Sequence, residues 1–183
     1  MLITSCIVWA TFTVGVFVVK YQPDKEEIIQ SPQNEVVVVN DEKEVDGEAQ
    51  IQTFFREDVP LSYELQKALY DTANSYGLKY ELVLAVIRKE TNFQNIQGDK
   101  GQSYGYMQIN KKWHVSRMER LGVTDLNDPE QNFLVGCDFL SELVTKYGDL
   151  EDALTYYNSG NTGESTYSDM VLTYMSEFSA TKI

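Results

Sequence analysis

A glutamate at the end of an apolar stretch is the strongest candidate for catalysis in this sequence. Glu90 follows the largely apolar residues 80–87 and the cations Arg88 and Lys89, and a polar, glycine-containing segment comes after it. A carboxylate at the floor of a cleft loses part of its hydration, which raises its pKa. A general acid needs such a raised pKa near neutral pH. Taken alone, an exposed glutamate beside Lys89 is the commoner alternative.

Two further segments place polar and aromatic side chains where they could serve such a carboxylate. Residues 103–110 read SYGYMQIN, and Gly105 between two tyrosines permits close approach of backbone or ligand. Residues 156–160 read YYNSG, where a helix end gives way to a turn, and residues 167–171 follow soon after. Taken singly, these segments are equally consistent with a strand packed on the core and a capped helix end with buried tyrosines.

Taken in order along the chain, the segments resemble the soluble lytic transglycosylase family, whose catalytic domain is similar in fold to goose-type lysozyme. The family pattern is E-[ST]-x-F, then S-x-G-x-M-Q-I, then A-x-x-x-Y-N-x-G, then Y-x-x-x-V. The sequence meets it at residues 90–93, 103–109, 153–160 and 167–171. Thr91 stands where serine is commoner in the family, which is a conservative difference. The resemblance covers residues 61–176.

The resemblance implies a peptidoglycan lytic transglycosylase with one catalytic residue, Glu90, acting as acid and base. It also implies substrate-binding positions at Ser103, Gly105, Met107, Gln108, Tyr157, Asn158 and Tyr167. Tyr167 would also help to set the ionisation of Glu90. Gly160 would admit the glycan through its backbone. Tyr104, Tyr106 and Trp113 are candidate stacking platforms, with core packing as the alternative for Trp113.

The implied reaction cleaves the β-1,4 bond between N-acetylmuramic acid and N-acetylglucosamine in glycan strands and leaves 1,6-anhydromuramyl ends, with no cofactor. Two alternatives stay open. A muramidase of the same fold would use water as nucleophile, with Asp99 as the nearest candidate base. A glycan-binding or scaffold domain of a cell-surface apparatus would have lost activity, although the intact motif residues argue against that.

Charge and composition exclude several other functions. The formal net charge is −13, and no basic face is evident for a phosphate backbone, so nucleic-acid binding is not expected. Cys6 lies in the apolar N-terminal stretch and Cys137 is alone in the domain, so the two cannot form a disulfide within the domain. Cys137 sits in an apolar helical pattern typical of a buried thiol. His114 has no cysteine or second histidine near it, so no metal site is predicted.

The chain is predicted to have three parts. Residues 1–20 form a membrane anchor, because residues 2–19 contain no charge; a cleaved signal is the alternative. Residues 21–60 form an acidic, flexible linker with eleven acidic and three basic residues. Residues 61–183 form the catalytic domain. The flanking charges do not indicate the orientation of the anchor, so we infer the orientation from the implied substrate. The protein is expected to cross the cell membrane once, with its domain on the cell-wall side. A tethered domain of this size would suit local wall opening for a secretion, conjugation or phage-like apparatus.

The predicted fold is predominantly α, an α+β lysozyme-like arrangement with one helical domain, a cleft and room for a small hairpin in its loop-rich middle. Apolar spacing, N-cap residues and glycine stops define the helices. They are expected at residues 61–76, 80–89, 129–147, 150–157 and 167–178.

Overall fold

The computed structural model describes residues 54–180. Over this range the chain forms six helices and three very short strands, which confirms the predominantly α class. The helices are α1 (Tyr63–Ser75), α2 (Tyr80–Thr91), α3 (Val115–Leu121), α4 (Pro129–Tyr147), α5 (Leu150–Ser159) and α6 (Thr166–Ala180). The strands are β1 (Gln97–Gly98), β2 (Ser103–Tyr104) and β3 (Ile109–Asn110).

Helix α2 is the centre of the core. Its residues from Leu82 to Ile87 are all buried, and they point to every side of the helix. A helix that is apolar all round must be surrounded by other elements. Helix α6 packs most extensively against it, and α1 packs against both α2 and α4.

Local signals place the ends of α4 where the sequence predicts them. The Asp128 side chain accepts a hydrogen bond from the Gln131 backbone N–H at 2.9 Å, and Pro129 occupies the first helical position. Gly148 ends the helix with φ at +70°, a conformation that costs glycine little because it has no Cβ. The remaining predicted helices lie within a few residues of their predicted ends.

The middle of the domain contains more regular structure than the predicted hairpin. The three strands form one antiparallel sheet in the order β1-β2-β3, with Gly98 opposite Ser103 and Tyr104 opposite Ile109. β1 lies within residues 92–102, for which the sequence predicts only a loop. Helix α3 also has no counterpart in the prediction, because seven residues carry too little periodic pattern.

The packed domain begins before residue 61. Phe54, Arg56 and Val59 are buried, although the predicted linker includes them. The Gln66 side chain fixes the backbone of this segment to α1. Its Nε2 donates to the carbonyls of Arg56, Val59 and Leu61, and its Oε1 accepts from the Arg56 backbone N–H at 2.9 Å. The predicted anchor and the rest of the predicted linker lie outside the described residues. Within residues 54–180, no helix has the length and apolar character to cross a membrane.

Candidate active site

Glu90 lies in the last turn of α2, where the chain turns sharply. Asn92 and Phe93 both have positive φ, 49° and 62°, so the backbone leaves the helix at once. The Thr91 hydroxyl is shared between the Ile87 carbonyl at 3.2 Å and the Tyr106 carbonyl at 3.0 Å. The end of α2 is thereby fixed to the segment that joins β2 and β3.

Glu90 lines a cleft with a volume of about 1010 Å³. This is at the upper end of ordinary ligand pockets, which suits a polymer more than a small molecule. Four residues of the predicted substrate-binding set also line it: Ser103, Gln108, Tyr157 and Asn158. Its other walls include Ile96, Asp99, Trp113, His114, Arg117, Phe139, Tyr156 and Gly160.

The Glu90 side chain is partly buried where it lines the cleft. Burial raises its pKa from 4.5 to about 7, while the Tyr167 hydroxyl and the Lys89 ammonium oppose the rise and Asp99 adds to it. The Tyr167 hydroxyl donates to Glu90 Oε1 at 2.5 Å, and its ring is buried. Lys89 Nζ lies 5.4 Å from the centroid of that ring. A carboxyl with this pKa exchanges its proton near neutral pH, as an acid/base group must.

Asp99 provides a second carboxylate in the cleft. It stands in the turn between β1 and β2 with φ at 47°, and its Oδ2 accepts from the Ser103 hydroxyl at 2.5 Å. The hydroxyl proton of Ser103 is therefore committed to Asp99. Ser103 Oγ remains able to accept a hydrogen bond from a ligand.

Two of the predicted site residues lie in the core beside the cleft. Met107 is fully buried, and its side chain lies against Gly136, where an added Cβ would come within 2.3 Å of Sδ. Gly105 is buried with φ at +74°, and an added Cβ would meet the Asn132 amide at 2.2 Å. The Met107 side chain packs in the core and does not line the cleft, and Gly105 is needed for the close approach of Asn132.

Asn132 fixes the backbone between β2 and β3, and it was not identified from the sequence. Its Oδ1 accepts from the Met107 N–H at 2.9 Å, and its Nδ2 donates to the carbonyls of Tyr104 and Leu126 at 2.8 and 3.1 Å. The side chain is completely buried. An asparagine within an otherwise apolar helix face was the available signal, because a buried amide must find partners.

Gln108 holds the same segment from the cleft side. It has φ at 47°, and its Nε2 donates to the Ile96 carbonyl at 3.0 Å and the Gly105 carbonyl at 2.8 Å. Both amide protons are therefore used within the protein. Only the amide oxygen remains for a ligand, and Gly98 lies close to it.

Tyr157 links the cleft wall to the same segment. Its hydroxyl donates to the Met107 carbonyl at 2.9 Å, and its ring stacks on Phe139 with centroids 5.2 Å apart. The His114 imidazole contacts the Phe139 ring edge-on, with ring centroids 4.6 Å apart. Burial, followed by the nearby Arg117 charge, lowers the pKa of His114 to about 4, so this imidazole is neutral at pH 7. Asn158, by contrast, is exposed at the cleft surface.

The three candidate stacking platforms, Tyr104, Tyr106 and Trp113, differ in their exposure to solvent. Tyr106 is buried against Phe133, with ring centroids 5.5 Å apart, and Tyr104 is half-buried. Trp113 is 73% exposed and lines the cleft. Core packing is thus the wrong alternative for Trp113, whereas Tyr106, a candidate platform in the sequence, packs in the core.

The described residues offer no cluster of three or more His, Cys, Asp or Glu side chains that could hold a metal ion. Cys137 is buried in α4, and this burial raises the pKa of its thiol to about 12. The thiol therefore stays protonated and behaves as a small apolar group.

The chain belongs to the transglycosylase SLT domain family, whose pattern matches residues 68–169. One relative is the membrane-bound lytic murein transglycosylase F of Desulfosudis oleivorans, 32% identical over an alignment of 95 residues that covers 48% of this chain and 20% of that protein. Another is the invasion protein IagB of Salmonella typhimurium, 28% identical over an alignment of 92 residues that covers 46% of this chain and 57% of that protein. This chain therefore aligns with only part of each relative. A lytic transglycosylase Slt of Pseudomonas aeruginosa, solved as an inactive mutant, is 18% identical with a TM-score of 0.48, over 64% of this chain and 21% of that one.

Proposed function

We propose that the protein is a peptidoglycan lytic transglycosylase, which cleaves the β-1,4 bond between N-acetylmuramic acid and N-acetylglucosamine and forms 1,6-anhydromuramyl ends. The observation that carries the proposal is Glu90, which lines a large cleft with its pKa raised to about 7. Membership of the family and the lytic murein transglycosylase named among the relatives support the substrate class.

In the first step, protonated Glu90 donates its proton to the glycosidic oxygen as the bond from that oxygen to C1 breaks. The electron pair leaves with the glucosamine 4-oxygen, which becomes a hydroxyl. The 2-acetamido group of the muramyl sugar stabilises the positive charge that develops at C1. The Tyr167 hydrogen bond to Oε1 supports the carboxylate that Glu90 has now become.

In the second step, the Glu90 carboxylate takes the proton of the 6-hydroxyl on the same muramyl sugar. The freed oxygen attacks C1 and closes the 1,6-anhydro ring. One C–O bond has broken, another has formed, and Glu90 is protonated again. The reaction consumes no water and needs no second carboxylate.

A hydrolytic muramidase is the second candidate, because Asp99 lies in the same cleft and its charge contributes to the raised pKa of Glu90. In that reaction Asp99 would take a proton from water, and the water oxygen would attack C1. The hydrogen bond that Asp99 accepts from Ser103 argues for the first candidate, since it satisfies part of the carboxylate that a base would need free.

The products decide between the two reactions. Purified peptidoglycan would be digested with the full chain, and the released muropeptides analysed by liquid chromatography and mass spectrometry. We expect anhydromuramyl ends, each lighter by one water than a reducing end. Glu90→Gln should abolish release, while Glu119→Gln, which changes an exposed glutamate outside the cleft, should not.

Two other outcomes would change the proposal. Reducing-end products would make the protein a muramidase and direct attention to Asp99. If folded wild-type protein released nothing, a glycan-binding or scaffold role would replace the catalytic one.

For location, we propose the arrangement expected from the sequence: an anchor at residues 1–20, a linker that follows it, and the domain on the cell-wall side of a single-pass membrane protein. One relative is named as membrane-bound, which supports it. Membrane fractionation and N-terminal sequencing of the mature protein test it. A mature chain that starts after residue 20 and is released from the membrane would instead support a cleaved signal.

For biological role, we propose local wall opening for a secretion, conjugation or phage-like apparatus. One relative is named as an invasion protein, and that name supports the proposed context. Crosslinking in cells should recover components of such an apparatus. Activity spread over the whole wall, with no crosslinked partner, would contradict this role but not the proposed reaction.

A further inference from the structure

Trp113 is unusual for a large apolar residue because it lines the cleft and remains 73% exposed. Within the described part of the chain, it is the most exposed large hydrophobic residue; Ile96, at 43%, also lines the cleft, whereas Val115 and Met170 lie outside it. Exposing the apolar surface of an indole to water costs free energy, and folding leaves most of this surface exposed here. An exposed apolar group in a cleft is typical of a binding surface.

Hydrogen bonds hold the backbone around Trp113 in place. The Trp113 N–H donates to the Asn110 carbonyl at 3.1 Å, and the Lys112 N–H donates to the Asn110 side chain at 3.1 Å. The His114 N–H donates to the Lys111 carbonyl at 3.3 Å, directly before α3 begins. The turn between β3 and α3 thus presents Trp113 in an ordered position, so little backbone entropy is lost when a ligand stacks on it.

Lys112 adds a positive charge to the same surface. Its Nζ lies 5.0 Å from the Trp113 ring centroid, and within residues 54–180 it forms no ion pair with a carboxylate. The lysine is exposed. An unpaired ammonium over an exposed indole can bind a ligand that combines an apolar surface with a negative charge.

A muramyl sugar has this combination. The C–H groups on one face of a pyranose ring make it apolar enough to stack on an indole. Muramic acid also bears a lactyl ether that ends in a carboxyl group, or in a peptide stem with carboxylates of its own, whereas N-acetylglucosamine has neither. We infer that Trp113 and Lys112 form an outer subsite of the cleft that binds a carboxylate-bearing muramyl unit of the glycan strand. This inference rests on the proposed function, because it assumes a peptidoglycan strand in the cleft.

The chain allows a direct test by fluorescence. It contains two tryptophans, Trp9 and Trp113, so Trp9→Phe leaves Trp113 as the single reporter in the full chain. Glu90→Gln is added to prevent cleavage during titration. Three probes are compared: a neutral chitin hexamer, soluble glycan strands stripped of peptides by an amidase, and strands with intact stems. Each bound strand should shift Trp113 emission to shorter wavelengths and protect it from acrylamide quenching.

Calorimetry on substituted chains measures the separate contributions. Trp113→Ala should weaken binding of all three probes about tenfold, the loss expected for one aromatic contact in a binding site. Lys112→Gln should weaken only the carboxylate-bearing strands, by about two- to fivefold, as for an exposed ion pair. A Lys112 effect on stripped strands assigns the carboxylate to the lactyl group, and an effect on stem-bearing strands alone assigns it to the stem.

Matched controls separate these effects from general surface changes. Met170→Ala removes an exposed apolar side chain outside the cleft, and Lys111→Gln removes the neighbouring exposed lysine, which lies over no ring among the described residues. Neither should alter binding. Thermal unfolding of Trp113→Ala should match wild type, because the indole contributes little to the core.

Two results would overturn the inference while leaving the proposed function intact. In the first, strands bind but neither Trp113 fluorescence nor the Trp113→Ala affinity changes. In the second, Lys112→Gln affects the neutral hexamer as much as the charged strands. Failure of every glycan to bind, together with no muropeptide release by wild type, would instead refute the proposed function itself.

Discussion

Replacing Glu90 with glutamine should make the domain more stable than wild type, and the gain should grow with pH. Burial raises the pKa of Glu90 from 4.5 to about 7 in the folded protein. The folded state therefore holds the proton more tightly than the unfolded state does. Stability must then fall as pH rises from the unfolded pKa through the folded pKa. Glutamine cannot ionise, so the variant lacks this fall.

The size of the effect follows from the two pKa values. Each pKa unit corresponds to about 1.4 kcal/mol, so ionising Glu90 in its folded position costs about 3 kcal/mol relative to the unfolded chain. The cost is absent below about pH 4, grows between pH 4.5 and 7, and is complete above about pH 8. Glutamine keeps the shape and can still accept the Tyr167 hydrogen bond, so packing changes should stay small.

Urea unfolding followed by circular dichroism at pH 4 and pH 8.5 measures the gain. The difference in unfolding free energy between Glu90→Gln and wild type should rise by about 3 kcal/mol over this interval. Glu119→Gln, at an exposed position, is the control and should show no such rise. A difference that stays constant from pH 4 to pH 8.5 would show that Glu90 is hydrated like a surface carboxylate, and would refute the argument for its role as an acid.

Three other substitutions test the surroundings of Glu90. Tyr167→Phe removes a hydrogen bond that favours the ionised carboxyl, so the alkaline limb of the kcat/KM profile should move to higher pH, with a lower maximum rate. Asp99→Asn removes a charge that raises the pKa of Glu90, so the same limb should move to lower pH; an unmoved limb in either profile contradicts the assignment. Gly136→Ala should lower stability by about 1–3 kcal/mol in thermal unfolding, because its Cβ would come within 2.3 Å of the buried Met107 sulfur, whereas alanine normally stabilises a helix.

The helix ends could be predicted because their signals are local. Asp128, Pro129 and Gly148 fix both ends of α4 through contacts that span a few residues. The three-stranded sheet and α3 could not be predicted in the same way. Each strand has two residues, and what orders them is distant: Asn132 contributes from a helix more than twenty residues further along.

The same distinction applies to the candidate site. The motif order brought Glu90 and Tyr167 into one hypothesis, and the structure joins them across 77 positions of sequence. The burial of Met107 and the reason for Gly105 depend on α4, which carries Gly136 and Asn132. A motif states which residue types recur together, but it does not state which of them face the ligand.

The contacts around Glu90 suggest why so many of the motif residues bind the protein itself. A carboxyl that stays protonated near neutral pH needs a dry and fixed environment, because water entering the site would return its pKa toward 4.5. Thr91 ties the end of α2 to the Tyr106 carbonyl, and Tyr157 ties α5 to the Met107 carbonyl. Both bonds end on the segment between β2 and β3, so the end of α2 and helix α5 share one support. The acid strength of Glu90 is therefore a property of this shared packing, and the side chains left free at the cleft surface, such as Asn158 and Trp113, are the ones available to the strand.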